Sequence, residues 1–178
     1  MLSSAEYYDA ISRGYCELHR EEQHEKMAAL RNWADVQATD RVLSVGCGPC
    51  FLLDMYHPAK GLCREMVGVD PSAKLIEQAV KRGVTRGIVS MAEDMDKREE
   101  EIGRDFDVVI SLTAIQNFVD VPKGIANIER LGRDRFVLTY LKRAAKGPQI
   151  DEEIEKRFTV VDRLEQKLDI IYFLKKKL

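Results

Sequence analysis

The chain has 178 residues, of which 45% are hydrophobic and 33% are charged, a composition typical of one soluble globular domain. Its 28 basic and 30 acidic residues give a net charge of −2, which excludes a general electrostatic attraction to nucleic acid. No apolar run approaches the ~20 residues of a membrane span, and the amino terminus has no signal-peptide pattern, so we expect a cytoplasmic protein without membrane contact.

Two helices are predicted before the first strand. Residues 4–20 carry an aromatic face made of Tyr7, Tyr8, Ile11 and Tyr15. Residues 22–36 place Met27, Leu30 and Trp33 or Ala34 near helical spacing. The first helix either packs on the sheet or covers a ligand as a lid, and its pattern alone does not separate these two roles.

A glycine turn follows the first predicted strand. Val42, Leu43 and Val45 form a short apolar run that is typical of a buried parallel strand. Gly46 and Gly48 then turn the backbone tightly, with no Cβ that would hold a ligand away. Pro49 fits the first turn of a helix. Together these features predict a cradle for a nucleotide-sized ligand at the carboxyl edge of a sheet.

The second predicted strand, Met66 to Val69, ends on Asp70. An acidic residue at this position can accept hydrogen bonds from ribose hydroxyls. Phe51 stands where a dinucleotide fingerprint needs a third glycine, and no Lys-Ser or Lys-Thr pair follows, as a triphosphate-binding loop would need. The combination predicts an adenosine-type ligand.

The rest of the chain continues the alternation of helices and strands. Ser72 caps a helix that ends at Gly83, with Leu75, Ile76, Ala79 and Val80 facing the sheet. Further strands are predicted at residues 87–91, 106–111 and 136–140, and an antiparallel pair at 158–161 and 169–174. The segments between them are a solvated helix at 96–104, a helix at 122–131, and a loop with a short helix at 142–157.

The ordered motifs resemble those of class I S-adenosylmethionine-dependent methyltransferases. Leu43–Gly48 followed by Val67–Ser72 carries the main resemblance, which extends over nearly the whole chain. Three further segments match in order: Tyr8–Tyr15 is similar to the amino-terminal helix of the small-molecule and tRNA-modifying branches, Met91–Asp94 to the adenine-contacting segment, and Phe106–Ser111 to strand four.

This resemblance implies a single domain over residues 1–178, with residues 1–21 as an amino-terminal lid helix. The implied fold is a doubly wound α/β domain, with a seven-stranded, mostly parallel sheet and an antiparallel carboxy-terminal strand. The implied reaction is methyl transfer from S-adenosylmethionine, with S-adenosylhomocysteine as product. The residues implied to contact the cofactor are Tyr8, Tyr15, Ser44, Gly46, Cys47, Gly48, Asp70, Pro71, Met91, Ala92, Glu93 and Ser111.

The acceptor side is implied to be the loop after strand four, residues 112–118. It has neither the Asn/Asp-Pro-Pro-aromatic segment of enzymes that methylate base amines nor the Pro-Cys nucleophile of cytosine-C5 enzymes. The candidate catalytic residues are Tyr8, Tyr15, Gln116 and Asn117, of which the two amides can orient a substrate without being strong bases. Asn117 could equally be a structural cap.

The methyl acceptor is unidentified and could be a small molecule, a tRNA or a protein. An activator subunit is one possible partner. RNA is a possible partner through Lys142, Arg143, Lys146 and the Lys175–Lys177 run, although the net charge does not indicate it and a terminal lysine run is more often solvated.

Two departures from the family leave other functions open. Ser44 stands where the family commonly has an acid, and Cys50 where it often has a glycine. Weaker cofactor anchoring at Ser44 would favour a non-catalytic cofactor-binding subunit.

Cys47-Gly48-Pro49-Cys50 also matches the thioredoxin tetrad, which would favour thiol–disulfide chemistry at Cys47 and Cys50. Against this alternative, the preceding residues lack aromatics and Asp70 is left unexplained. A zinc site from Cys47, Cys50, Cys63 and His57 lacks two short-spaced ligand pairs, so we expect no metal site.

Overall fold

The structure is a computed structural model that describes residues 6, 7, 9–11, 27, 30, 31 and 33–177. Before the first strand, every described residue from Glu6 to Ile11 and from Met27 to Ala34 is helical, as predicted. Trp33 stacks on Phe173 with ring centroids 4.5 Å apart, so the second predicted helical segment packs against the sheet. Asp35 and Val36, which were also predicted to be helical, are not, and the remaining parts of the two predicted helices, including Tyr8 and Tyr15, lie outside the described residues.

Seven strands form one sheet, in the order β3-β2-β1-β4-β5-β7-β6. Their bounds are β1 Arg41–Val45, β2 Glu65–Asp70, β3 Arg86–Val89, β4 Phe106–Ser111, β5 Gly132–Leu141, β6 Phe158–Glu165 and β7 Asp169–Lys176. The first five strands pair in parallel, and β7 runs antiparallel to both β5 and β6. The predicted doubly wound sheet with an antiparallel carboxy-terminal strand is confirmed.

Five α-helices and three short 3₁₀-helices connect the strands in the part described from residue 35 onward. The α-helices are α1 Leu53–Tyr56, α2 Ala73–Arg82, α3 Glu99–Ile102, α4 Val121–Leu131 and α5 Gly147–Arg157. The 3₁₀-helices cover Pro58–Lys60, Ala92–Arg98 and Ile115–Asn117. Within the described chain, no helix is both long enough and apolar enough to span a membrane.

Side-chain caps fix the starts of helices α2 and α4. Ser72 Oγ accepts a hydrogen bond from Leu75 N at 3.2 Å and so caps α2, as predicted. Asp120 Oδ1 accepts one from Lys123 N at 3.0 Å and caps α4. Gly83 ends α2 with a φ of 114°, a conformation that glycine adopts readily.

The sheet separates two apolar layers because successive side chains in a strand point to opposite faces. Leu43 belongs to the layer formed with α4 and α5, and Val42 belongs to the layer formed with α1, α2 and the described residues before β1. The order of strands reverses between β1 and β4, which start connections to opposite faces. Ligands of open α/β sheets bind at the carboxyl ends of the strands at such a reversal.

The helices predicted after β2 and before β6 are both present. Val80 of α2 packs against the sheet over Gly87, as predicted, but it is 50% exposed because Gly87 belongs to β3, the edge strand. The loop with a helix predicted at 142–157 is confirmed, since residues 142–146 form a loop and Gly147 and Pro148 begin α5. Proline is tolerated there because the first turn of a helix has no internal partner for its missing N–H.

Candidate functional site

The glycine turn after β1 forms one side of the site. Gly46 and Gly48 have φ values of 64° and 54°, in the left-handed region that side chains disfavour. Cys47 N donates to Val69 O at 3.0 Å, which fixes the turn against the end of β2. A Cβ added at Gly46 would lie 2.3 Å from Ala114 Cβ, so glycine is required there for the close approach of the loop after β4.

Asp70 stands beside this turn at the end of β2. Its Oδ2 accepts a hydrogen bond from Gly48 N and its Oδ1 accepts one from Ser72 N, both at 2.9 Å. The side chain is 6% exposed, and this burial raises the pKa of the carboxyl group, while the two backbone donors oppose the shift. Each carboxylate oxygen keeps lone-pair capacity for a further donor.

Asp9 connects the amino-terminal segment to this place. Its Oδ1 accepts hydrogen bonds from Ser72 Oγ and from Lys74 N, the second at 3.2 Å. Asp9 therefore satisfies a donor at the start of α2 from a distant part of the sequence. The bond from Ser72 lowers the pKa of the Asp9 carboxyl group, and the Asp9 charge adds a small upward shift to that of Asp70.

A pocket with about 610 Å³ of empty volume, open solvent included, lies between these elements. Its walls come from the glycine turn, the end of β2 with the start of α2, the segment after β3 and the loop after β4. The lining residues are Gly46, Gly48, Val69, Asp70, Pro71, Leu75, Ser90, Met91, Ala92, Glu93, Leu112, Thr113, Ala114, Asn117 and Phe118.

Glu93 is a buried carboxylate in the wall after β3. Its Oε1 accepts a hydrogen bond from Asp120 N at 3.0 Å, whereas its buried Oε2 has no hydrogen-bond partner among the described residues. Asn127 Nδ2 fixes the adjacent backbone by donating to Ala92 O at 2.9 Å and to Glu93 O at 3.1 Å. An unsatisfied buried oxygen in a pocket wall is a ready acceptor for a ligand donor.

The structure brings together many, but not all, of the residues predicted for the site. Those that line the pocket are Gly46, Gly48, Asp70, Pro71, Met91, Ala92, Glu93 and Asn117, whereas Ser44, Cys47, Ser111 and Gln116 do not. Tyr8 and Tyr15 are outside the described residues. The roles assigned to all of these residues stay predictions.

The sequence patterns did not identify several lining residues. Leu75 belongs to a predicted sheet-facing helix, and Ser90 follows β3, so neither carried a site signal. Thr113, Ala114 and Phe118 lie in the loop implied to be on the acceptor side, but their residue types have no distinctive chemistry.

The cysteines behave as packing residues. Cys50 is fully buried, with Sγ 3.3 Å from Met66 Sδ, and burial raises the pKa of its thiol to about 12. Burial also raises the pKa of Cys47 well above its usual range, and a Cβ added at Gly68 would lie 2.9 Å from its Sγ. Thiol–disulfide exchange needs a thiolate, so this setting does not favour the redox alternative.

Comparison with known proteins identifies a family for this geometry. Residues 43–135, more than half of the chain, match a family model described as a methyltransferase domain. No curated protein sequence matches the chain.

Solved structures share the fold. A chain of the complex between the Haloferax volcanii Trm112 methyltransferase activator and a methyltransferase has a TM-score of 0.76 at 13% identity, with 100% of each chain covered. Magnesium protoporphyrin IX methyltransferase (ChlM) from Synechocystis PCC 6803, solved with bound SAM, has a TM-score of 0.65 at 17% identity, covering 99% of this chain and 86% of that one. The [4+2]-cyclase SpnF has a TM-score of 0.67 at 14% identity, covering 86% and 80%.

Proposed function

We propose that this chain, which belongs to the class I S-adenosylmethionine-dependent methyltransferase family, binds S-adenosylmethionine in the pocket beside Asp70 and transfers its methyl group to an acceptor at the loop after β4. The observation that carries the proposal is the buried Asp70 carboxylate held next to the glycine turn by Gly48 N and Ser72 N. A carboxylate fixed in this way is oriented before the ligand arrives.

The lining residues fit the cofactor along its length. Glu93 Oε2, buried without a partner among the described residues, can accept from the adenine amine, and Met91 and Ala92 supply apolar surface for the ring. Asp70 can accept from the ribose hydroxyls through its remaining lone pairs. Gly46 lets Ala114 pack on the turn, because Ala114 Cβ takes the space that a side chain at Gly46 would need. The methionine end would then lie beside the place where Ala114 packs on the glycine turn.

The chain's own residues are assigned binding and positioning rather than covalent chemistry. When bound, S-adenosylmethionine supplies an electrophilic methyl group on a sulfonium. An acceptor lone pair attacks the methyl carbon, the carbon–sulfur bonding pair passes to sulfur, and an acceptor proton leaves to solvent. The loop after β4 would align the acceptor and exclude water. Asn117 lines this wall, whereas Gln116 Nε2 donates to Thr113 O at 2.7 Å and so braces the loop.

The charges favour a neutral or cationic acceptor. Among the described lining residues, the ionisable side chains are the carboxylates of Asp70 and Glu93, and none is Lys, Arg or His. Lys146 Nζ donates to Phe118 O, and Lys142 Nζ lies 3.5 Å from Glu165 Oε2. The Lys175–Lys177 run lies at the opposite edge of the sheet, since Lys175 pairs with Arg135 near the start of β5. RNA binding therefore gains no support from these lysines.

An activator subunit remains part of the proposal. Support comes from the similar chain from Haloferax volcanii, whose structure is a complex with a methyltransferase activator. Co-purification of the tagged chain from its own host, with mass spectrometry of the bound proteins, would test this. Recovery of the chain without a stoichiometric partner would count against an activator.

Calorimetry with S-adenosylmethionine and S-adenosylhomocysteine tests the cofactor site. We expect both to bind and Asp70→Ala to weaken them at least tenfold, since charge-assisted hydrogen bonds are worth about 1.5–3 kcal/mol each. Asp107→Ala is the matched control, because Asp107 also accepts a backbone hydrogen bond, from Arg41 N at 2.9 Å, but at the opposite edge of the sheet. Equal affinities in wild type and Asp70→Ala would refute the site.

Radiolabelled methyl transfer then tests catalysis. The labelled cofactor should be incubated with separated small-molecule, tRNA and protein fractions, with the Asp70→Ala protein in parallel. We expect label in a fraction of neutral or cationic small molecules. Cofactor binding without transfer into any fraction would favour the non-catalytic subunit instead.

A further inference from the structure

Thr113 has an unusual backbone conformation in the wall of the pocket. Its φ is 53°, in the left-handed region where a β-branched residue is a genuine outlier. Such a conformation persists only when the surrounding structure enforces it. The residue lies just after β4 and lines the pocket, so the cause of its conformation bears on the shape of the site.

Two buried residues from the far end of the chain enforce it. Thr113 N donates to Thr139 Oγ1 of β5 at 2.7 Å, and Thr113 Oγ1 donates to Asp169 Oδ1 at the start of β7 at 3.1 Å. Thr139 is fully buried and Asp169 is 2% exposed. A buried carboxylate is unfavourable unless its oxygens are hydrogen-bonded, and Thr113 Oγ1 supplies one of these bonds to Asp169. Asp169 is therefore explained by its hydrogen bond to Thr113 rather than by packing alone.

The conformation of Thr113 determines the path of the next four residues of the wall. Gln116 Nε2 donates to Thr113 O at 2.7 Å, and Asn117 N donates to Ala114 O at 2.9 Å, which folds the loop back on itself. Ala114 is thereby pressed against the glycine turn, where its Cβ occupies the space that a Gly46 side chain would need. A shift of Thr113 would move Ala114 and open this contact.

We propose that Asp169 and Thr139 are positioning residues that hold Thr113 left-handed and thereby set the wall at the methionine end of the cofactor. This inference rests on the proposed function, because it takes the end of the pocket near Gly46 as the methionine end. It assigns to the last strand of the sheet a role in the site, and it makes the wall sensitive to a residue 56 positions away from Thr113.

A pair of ligands separates the two ends of the pocket. S-adenosylhomocysteine reaches both ends, whereas adenosine reaches only the end near Asp70 and Glu93. We expect Asp169→Ala to weaken S-adenosylhomocysteine about tenfold, the effect of roughly one hydrogen bond, and to leave adenosine nearly unchanged in calorimetry. Asp169→Asn keeps an oxygen acceptor for Thr113 Oγ1 and should restore most of the affinity.

Amide hydrogen exchange of the ligand-free protein gives a second readout. Asp169→Ala should raise exchange in residues 112–118 at least tenfold above wild type, and Asp107→Ala should not, because Asp107 is at the opposite edge of the sheet. If Asp169→Ala does not fold, Thr113→Gly decides the question. Glycine tolerates this φ but is not restricted to it, and without the hydroxyl it loses the bond to Asp169, so the same ligand-specific loss is expected in a folded protein.

The outcomes are distinct for the two proposals. Failure of the wild type to bind S-adenosylhomocysteine would refute the proposed function. Binding by the wild type, with equal loss for adenosine and S-adenosylhomocysteine in Asp169→Ala and Thr113→Gly, would overturn only the positioning role. A lower unfolding midpoint in Asp169→Ala without faster loop exchange would also overturn it, since Asp169 would then act on the fold alone.

Discussion

Replacing Gly46 by alanine tests the steric basis of the pocket. The new Cβ would lie 2.3 Å from Ala114 Cβ, whereas two carbon atoms are in good contact at about 3.5–4.0 Å. Overpacking of this kind costs about 1–3 kcal/mol, and an L-residue in the left-handed region costs about 1–2 kcal/mol more. We therefore expect Gly46→Ala to lower the free energy of unfolding by about 2–5 kcal/mol, less than most domains have in total.

Gly61→Ala provides the matched control. Gly61 has a φ of 69°, nearly that of Gly46, but a Cβ there would meet nothing within 4 Å. Both variants carry the backbone strain, and only Gly46→Ala carries the clash, so their difference in urea unfolding should be about 1–3 kcal/mol. Only Gly46→Ala should also lose affinity for S-adenosylhomocysteine in calorimetry.

A double variant makes the reasoning refutable. When Ala114→Gly is combined with Gly46→Ala, the nearest remaining atom to the new Cβ is Ala114 Cα at 3.8 Å, an ordinary contact. The double variant should therefore recover the stability lost to the clash and keep only the backbone strain. Equal unfolding energies for Gly46→Ala and Gly61→Ala, or no recovery in the double variant, would show that Ala114 does not press on the turn.

Three further predictions concern titration and capping. Burial raises the pKa of Asp70, so its ionised carboxylate lowers the stability of the fold at neutral pH, and this loss is recovered as the pH falls and the group is protonated. Affinity for S-adenosylhomocysteine should fall over the same pH range, because the protonated group is a poorer acceptor. Calorimetry across pH would show this, and a flat affinity profile would contradict it. Asp9 has a lowered pKa, so its stabilisation of the start of α2 should last from neutral pH into acid. Asp9→Ala should lower the melting midpoint more than Glu77→Ala, a change on the exposed face of α2. Equal midpoints would show that the hydrogen bonds of Asp9 do not stabilise the start of α2. Cys50, with a pKa of about 12, should resist iodoacetamide at pH 8 until urea is added, and native alkylation seen by mass spectrometry would revive the redox alternative.

The features that the sequence predicted well are local in the chain. The strand, the glycine turn and the acid at the tip of β2 depend on short patterns whose geometry is largely set by their own residues. Gly48 and Asp70 lie together because parallel strands end at the same edge, and Gly48 N donates to Asp70 Oδ2. The cap at Ser72 was predicted for the same local reason.

The features that escaped prediction depend on contacts between distant segments. Nothing in the residues around Thr113 indicates a left-handed backbone, because threonine disfavours it and the hydrogen bonds that enforce it come from Thr139 and Asp169. The hydrogen bonds from the start of α2 to Asp9 join segments more than sixty residues apart in the sequence. The length of β5 was also underpredicted, at residues 136–140. The strand runs from Gly132 to Leu141 because it pairs with β4 on one side and β7 on the other.

We infer that the proposed reaction depends on the loop after β4 more than on the fold. A [4+2]-cyclase has the same fold, with a TM-score of 0.67, so the fold does not by itself determine the chemistry. In the proposed function the cradle binds the nucleoside, and the acceptor meets the wall that the pocket-lining residues Thr113, Ala114 and Asn117 form. Because β5 and β7 hold that wall through Thr139 and Asp169, substitutions in the carboxy-terminal strands should alter acceptor choice while leaving nucleoside binding intact.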